Sequence, residues 1–207
     1  MYGKDEKKKM LAGKLFCHRD NQELADDIKK CRMLVRRYNE TTEEEADYRR
    51  ELLRELLGGC GERFRIEPPV HFDYGSNTYL GEHFYANFDC VFLDVNRITI
   101  GSDVLLGPKV CIFTAGHPID ATIRNEALQY GFPVTIGNNV WIGGNTVVNP
   151  GVTIGDNAVI GSGSVVTRDI PPDVVAAGNP CRVIRPITEK DRDYWRALRD
   201  EYFASDD

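Results

Sequence analysis

The strongest constraint in this chain is a period of six. Ile100, Leu106 and Ile112 stand six apart, and so do Ile136, Ile142, Val148, Ile154, Ile160 and Val166. Glycine directly follows the aliphatic residue at Gly101, Gly107, Gly137, Gly143, Gly155 and Gly161, while Leu80, Ala86 and Phe92 continue the spacing more loosely upstream. Neither the helical period of 3.6 nor the strand period of two produces this pattern. Self-similarity at a short fixed period marks a solenoid, and a six-residue unit points to a parallel β-helix. One unit, a short strand and a tight turn, is too small to bury its own apolar side chain. Coils stacked at roughly 4.8 Å line such side chains into continuous inward ladders. The glycines, with Asn138, Asn139, Asp156 and Asn157, then fall at corners, which favour small or αL-tolerant residues.

The flanks follow a different rule. Over residues 1–60, Leu24, Ile28, Cys31, Val35 and Tyr38 share one helical face. The stretch "TTEEEADYRRELLRELLGG" offers a capping box in Thr42 and Glu45, a stripe through Leu52, Leu53 and Leu56, and a stop at Gly58. Residues 61–187 carry the repeat, and residues 188–207 read as a final helix capped by Thr188, with Trp195, Leu198 and Tyr202 facing inward. Within the repeat, residues 118–133, "PIDATIRNEALQYGFP", have no sixfold pattern and must loop out over a face.

Composition narrows the function. A chain of 207 residues with 42% hydrophobic and 28% charged residues is an ordinary globular one. Its net charge of -6 argues against a general nucleic-acid binder and leaves a small-molecule partner. No apolar run approaches membrane-spanning length, and the N-terminus lacks an apolar signal core, which together predict a cytoplasmic protein with no membrane partner. The six cysteines have no C-x-x-C pair, and His18, His71 and His83 show no metal-ligand spacing with His117 or one another, so no metal is expected.

The wording of the repeats says more than their period. "YGSNTYLGEHFYANFDCVFLD", "TAGHPID", "IGNNVWIGGNTVVNPGVTIGDNAVIGSGSVVTRDIPP" and "AAGNPCRVI" resemble the maltose and galactoside O-acetyltransferase family of hexapeptide-repeat enzymes, over about Lys8 to Ile187. The resemblance implies a mainly β fold, a three-sided left-handed parallel β-helix between the helical segments, assembled as a homotrimer with active sites between subunits. Handedness rests on the resemblance alone, since the general crossover rule would give the opposite hand. Acetyl-CoA is the implied donor and a maltose- or glucose-like sugar the implied acceptor. A hydroxylated-antibiotic acetyltransferase and a non-catalytic scaffold are the rival readings.

A sugar hydroxyl is a poor nucleophile until its proton is being removed, and imidazole titrates where that removal is useful. His117, last before the loop, matches the family's catalytic segment and is the expected general base. Asn87, in "FYANFD", matches a position near the reacting hydroxyl. Tyr85 would shape the acceptor pocket, and Asp94 and Asp20 are candidates for sugar hydroxyls; Asp20 equally suits the N-cap of the next helix. Asp73 stands where galactoside enzymes carry serine. The resemblance places the coenzyme along Trp141, Gly144, Ser162, Thr167, Arg168, Arg182 and Arg185, arginine suiting phosphate through its planar fork. Cys111 reads as a buried spacer, so transfer is expected to be direct, without an acetyl-enzyme. Family members often carry a loop glutamate a few residues beyond Glu126, where this chain has Leu128 and Gln129.

Overall fold

The structure, a computed structural model, describes residues 5–204. A short helix α1 (Glu6–Leu11) precedes the antiparallel pair α2 (Gln22–Asn39) and α3 (Ala46–Leu56). Asn21, not Asp20, caps α2: its side chain accepts the Leu24 N–H at 3.0 Å, while Asp20 sits exposed at positive φ one residue earlier. The Thr42–Glu45 capping box forms at a short 3₁₀ turn ahead of α3.

The repeat follows as stacked coils. The first is β1 (Gly59–Cys60), β2 (Phe64–Ile66) and β3 (Val70–Phe72). The second is β4 (Thr78–Leu80), β5 (Phe84–Ala86) and β6 (Cys90–Leu93), and the third is β7 (Ile98–Ile100), β8 (Leu105–Leu106) and β9 (Cys111–Phe113). An excursion then carries β10 (Ala115–Gly116), α4 (Ala121–Asn125) and β11 (Tyr130–Gly131). The coils resume with β12 (Val134–Ile136), β13 (Trp141–Ile142) and β14 (Val147–Val148), then β15 (Thr153–Ile154), β16 (Val159–Ile160) and β17 (Val165–Val166). β18 (Val174–Ala177) adds one more parallel rung, β19 (Arg182–Pro186) folds back antiparallel on it, and α5 (Glu189–Ala204) ends the described chain.

Like strands of successive coils pair in parallel and form three faces, sheets of five, seven and five strands. The first face runs β1-β4-β7-β12-β15, the third β3-β6-β9-β14-β17, and the second contains β2-β5-β8-β13-β16-β18 with β19 at its edge. Register explains why the upstream spacing looked loose. Leu80 pairs with Ile100, 20 residues on, whereas Ile136 pairs with Ile154, 18 residues on. The two extra residues per early coil lie at the corner between the third and first faces, at 73–77 and 94–97.

The inward residues Ile100, Leu106, Ile112, Ile136, Ile142, Val148, Ile154, Ile160 and Val166 are all buried in one continuous core. Left-handed backbone at the corners falls to His83, Asp103, Asn139, Asn157 and Asp173 on one edge and to Asp89, Lys109, Asn145 and Gly163 on the next. The glycines after the aliphatic residues serve a different purpose, close stacking. A Cβ on Gly81 would lie 2.5 Å from the Gly101 carbonyl carbon.

At the first-coil end, α2 and α3 close the core with Leu34, Val35, Tyr38, Leu52, Leu53 and Leu56. Asn39 completes the edge strand β3, donating to the Val70 carbonyl and accepting its N–H. Expectation fails for α5. It has no buried residue, and Trp195, Leu198 and Tyr202 are exposed, because the helix is held by its first turn, through Asp191 and Arg192, and not by its apolar side chains. No helix among the described residues is long and apolar enough to cross a membrane.

The stacking argument makes a prediction. Gly81→Ala should lower stability by roughly 1–3 kcal/mol through overpacking against immovable backbone. A urea-unfolding midpoint equal to wild type would show that the coils can separate at that corner.

Candidate active site

The corner between the third and first faces is wide in the first two layers and becomes the excursion in the third. Its first two layers contain residues 73–77 and 94–97, and its third layer is the whole segment 114–133. A separate small core holds this corner. Met10, Phe16 and Leu24 of the N-terminal segment pack with Tyr74 and Val95, against Ala115 at the foot of the excursion. Buried Asn96 ties the same pieces together, donating to the Met10 and Gly131 carbonyls while its N–H reaches the Thr114 hydroxyl. The excursion is closed by the β10–β11 ribbon, which pairs Ala115 with Gly131 and Gly116 with Tyr130.

His117 follows this ribbon directly and is exposed. Its Nδ1 lies 3.4 Å from the Leu128 carbonyl oxygen. A carbonyl only accepts, so as a hydrogen bond this contact puts the proton on Nδ1 and leaves Nε2 with the lone pair. The loop thus meets the imidazole with a main-chain oxygen, that of Leu128.

Asn87 directly follows β5, at the corner between the second and third faces. Its Oδ1 accepts the Phe88 N–H at 2.8 Å, which leaves the Nδ2 donors to offer. The register stacks Ala86, Leu106, Ile142 and Ile160, so Asn87 shares one edge with Gly144 and Ser162. Tyr85, Leu105, Trp141, Val159 and Val175 form the outward ladder of the second face. Leu105 and Trp141 there are about half exposed, at 49% and 55%. Thr167 and Arg168 are exposed just after β17, on the other edge of the third face.

Three expected residues stand differently. Asp94 is fully buried, with one oxygen accepting the Asp73 and Tyr74 N–H groups and the other the Thr78 hydroxyl. It spends its hydrogen bonds on the corner and presents nothing to a sugar. Burial pushes its carboxyl from the ordinary 3.8 up to about 6, against the pull of these donors and the Gly75 N–H. Arg185 is bound bidentately by Asp191, both contacts at 2.8 Å, which anchors α5; exposed Arg182 donates to the Cys181 carbonyl. Cys111 is no buried spacer. Ile112 takes the inward position, so Cys111 points outward on the ladder His71–Val91–Cys111–Val147–Val165. Burial still raises its thiol pKa, and a protonated thiol is a poor nucleophile.

One residue at the site escaped sequence reasoning. His18 lies 2.8 Å from the Gln129 amide through its Nδ1, where Phe16 and Gln129 exchange main-chain hydrogen bonds. The partners are 111 residues apart, so no local spacing reveals them. Exposed Asp20 lies two residues on from His18.

The chain matches two family models: the maltose acetyltransferase hexapeptide capping motif over residues 9–61 and the bacterial transferase hexapeptide over residues 133–168. It is 47% identical to galactoside O-acetyltransferase of Escherichia coli, over 90% of this chain and 92% of that protein. A crystal structure of a maltose O-acetyltransferase from Clostridium difficile superimposes with a TM-score of 0.87 at 52% identity, covering 88% of this chain and 97% of that one. A galactoside acetyltransferase in complex with coenzyme A gives 0.89 at 46% identity, covering 92% and 94%.

The buried Asp94 predicts a pH signature. Its folded pKa lies above its unfolded one, so its stabilising contribution is present below about pH 4 and lost as the pH rises through about 6. Relative to Asp94→Asn, whose amide can still accept the Tyr74 N–H, the wild-type chain should lose up to about 3 kcal/mol across that window. Urea unfolding at both ends of the window tests this; parallel pH dependence in the two proteins would contradict it.

Proposed function

Because the chain belongs to the maltose and galactoside O-acetyltransferase family of hexapeptide-repeat enzymes, we propose that it transfers the acetyl group of acetyl-CoA to a hydroxyl of a maltose- or glucose-like sugar. The observation that carries this reading is the fixed imidazole. His117 sits at the foot of the excursion with Nδ1 against the Leu128 carbonyl, which leaves Nε2 as the free basic nitrogen.

In the proposed reaction, Nε2 of His117 takes the proton of the sugar hydroxyl as its oxygen attacks the thioester carbonyl carbon. The tetrahedral oxyanion accepts hydrogen bonds, and the Nδ2 donors of Asn87 are suited to supply one because Oδ1 is already occupied. Collapse breaks the carbon–sulfur bond. The leaving thiolate takes the proton back from the imidazolium, so the base is regenerated and no acetyl-enzyme forms. Tyr85 flanks the acceptor, and exposed Asp20 is a candidate to accept from its hydroxyls.

Trp141 and Leu105 offer an apolar outer wall suited to the pantetheine arm, and Gly144 and Ser162 the adjoining edge. Thr167, Arg168 and Arg182 are the groups for adenine and phosphates. Arg185 serves there once it exchanges Asp191 for a phosphate. The assembly proposed is a homotrimer with active sites between subunits, which accounts for the exposure of His117, Trp141 and the apolar side chains of α5 in one chain.

Coenzyme A release from acetyl-CoA, measured across glucose, maltose, galactosides and hydroxylated antibiotics, tests the reading. Sugar should stimulate release, and His117→Ala should cut the stimulated rate by roughly 10²–10⁴ while acetyl-CoA still binds. Asn87→Ala should cost roughly 10²–10³ in kcat. Equal rates in wild type and His117→Ala would reject the base, stimulation only by antibiotics would reject the sugar, and no stimulation by any acceptor would favour a scaffold.

A further inference from the structure

A cavity of about 570 Å³ opens along the outer flank of α2, lined by His18, Ile28, Lys29, Arg32, Met33 and Arg36. Its charge runs against that of the molecule. In a chain of net charge -6, three cations and a histidine converge on one hollow. Of the acids nearby, Asp27 and Glu23 bind Lys7 and Asp26 accepts from Gln22, while exposed Asp20 stands two residues beyond His18 at the cavity's end. Among the described residues, no carboxylate oxygen lies within ion-pairing distance of Lys29, Arg32 or Arg36. The carboxylate that senses Arg32 is that of half-buried Asp73.

Lys29, Arg32 and Arg36 follow one another on one side of the helix at spacings of three and four, where like charges repel. An anion seated among them would relieve that repulsion, and two guanidinium forks match phosphate or carboxylate oxygens in pairs. Gln129 Nε2 approaches His18 Nδ1 at 2.8 Å, and donation there puts the imidazole proton on Nε2, a further donor. Ile28 and Met33 give the hollow an apolar wall that suits the carbon face of a sugar ring.

The cavity also adjoins the chemistry. Gln129, which holds His18, is the residue after Leu128, whose carbonyl meets His117. We propose that this cavity holds an anionic group, phosphate or carboxylate, carried by the acceptor itself, so that the acceptor class is an acidic saccharide. The proposal rests on the acetyl-transfer reading for the word acceptor, but the binding it requires can be measured without turnover.

Titration calorimetry on the full chain, with glucose, glucose 6-phosphate, glucuronate and inorganic phosphate, tests it. At least one of the two acidic sugars should bind about tenfold or more tightly than glucose. That advantage should shrink as sodium chloride is raised, and it should vanish in Arg32→Gln/Arg36→Gln. Acetyl-CoA affinity and the unfolding temperature of that variant should stay at wild-type values, which separates a lost site from a damaged fold. With acetyl-CoA present, the kcat/KM ratio of the preferred acidic sugar to glucose should fall about tenfold in the same variant. Equal affinity for glucose and both acidic sugars would overturn the proposal, and so would an advantage that survives in the variant. Enhancement of glucose binding by free inorganic phosphate to the level of glucose 6-phosphate would overturn the claim that the acceptor carries the anion. Intact anion-dependent binding with no coenzyme A release from any acceptor would uphold the cavity and reject acetyl transfer.

Discussion

The spacing between coils governs everything else in this molecule. Parallel strands hydrogen-bond at one distance only, so each coil must repeat the outline of the one before it. Inside, that rule leaves room for one or two buried side chains per strand, and mostly aliphatic and aromatic residues fill the positions. At the corners it forces backbones together so closely that Gly81 tolerates no Cβ beside Gly101. A wall so uniform has no concavity of its own. Chemistry has to be built where the outline is broken, and one corner supplies the break.

That corner is held by interactions of another kind. The main core is aliphatic and continuous, whereas the small core of Met10, Phe16, Leu24, Tyr74 and Val95 is bound up with buried polar groups. Asn96 and Asp94 each satisfy several main-chain groups there, and no buried side-chain nitrogen or oxygen among the described residues is left without a partner. Such a network fixes geometry because each member has one arrangement that satisfies its neighbours. The rigidity reaches His117 through two residues of ribbon, and Leu128 meets it from the stretch just before the returning strand β11.

The solenoid was legible because its cause is local and repeated: a six-residue unit announces its inward position each time. The break at His117 was legible for the same reason, as the place where the announcement stops. What escaped was set by contacts between distant segments. The pairing of His18 with Gln129 has no sequence period. The burial of Asp94 follows from the two extra residues that widen each early corner, and these register in the sequence only as looseness around Leu80 and Phe92. The Arg185–Asp191 pair is close in sequence, yet the motif around Arg185 gives no sign that Asp191 holds it. The outward Cys111 follows from strand alternation once Ile112 is known to point in. The apolar positions of α5 were read correctly as a stripe and wrongly as buried, since a stripe does not say what covers it.

The excursion leaves and re-enters the wall without disturbing it. Ile100 and Ile136 are 36 residues apart in sequence and neighbours in one ladder. Loop-closure entropy grows only slowly with length, and the ribbon at the neck fixes both ends. In lineage terms, the part of this segment between His117 and Leu128 can accept change that the coils would refuse. A descendant can inherit a longer, shorter or differently charged excursion on an unaltered frame, and diversification of the chemistry then proceeds without renegotiating the fold.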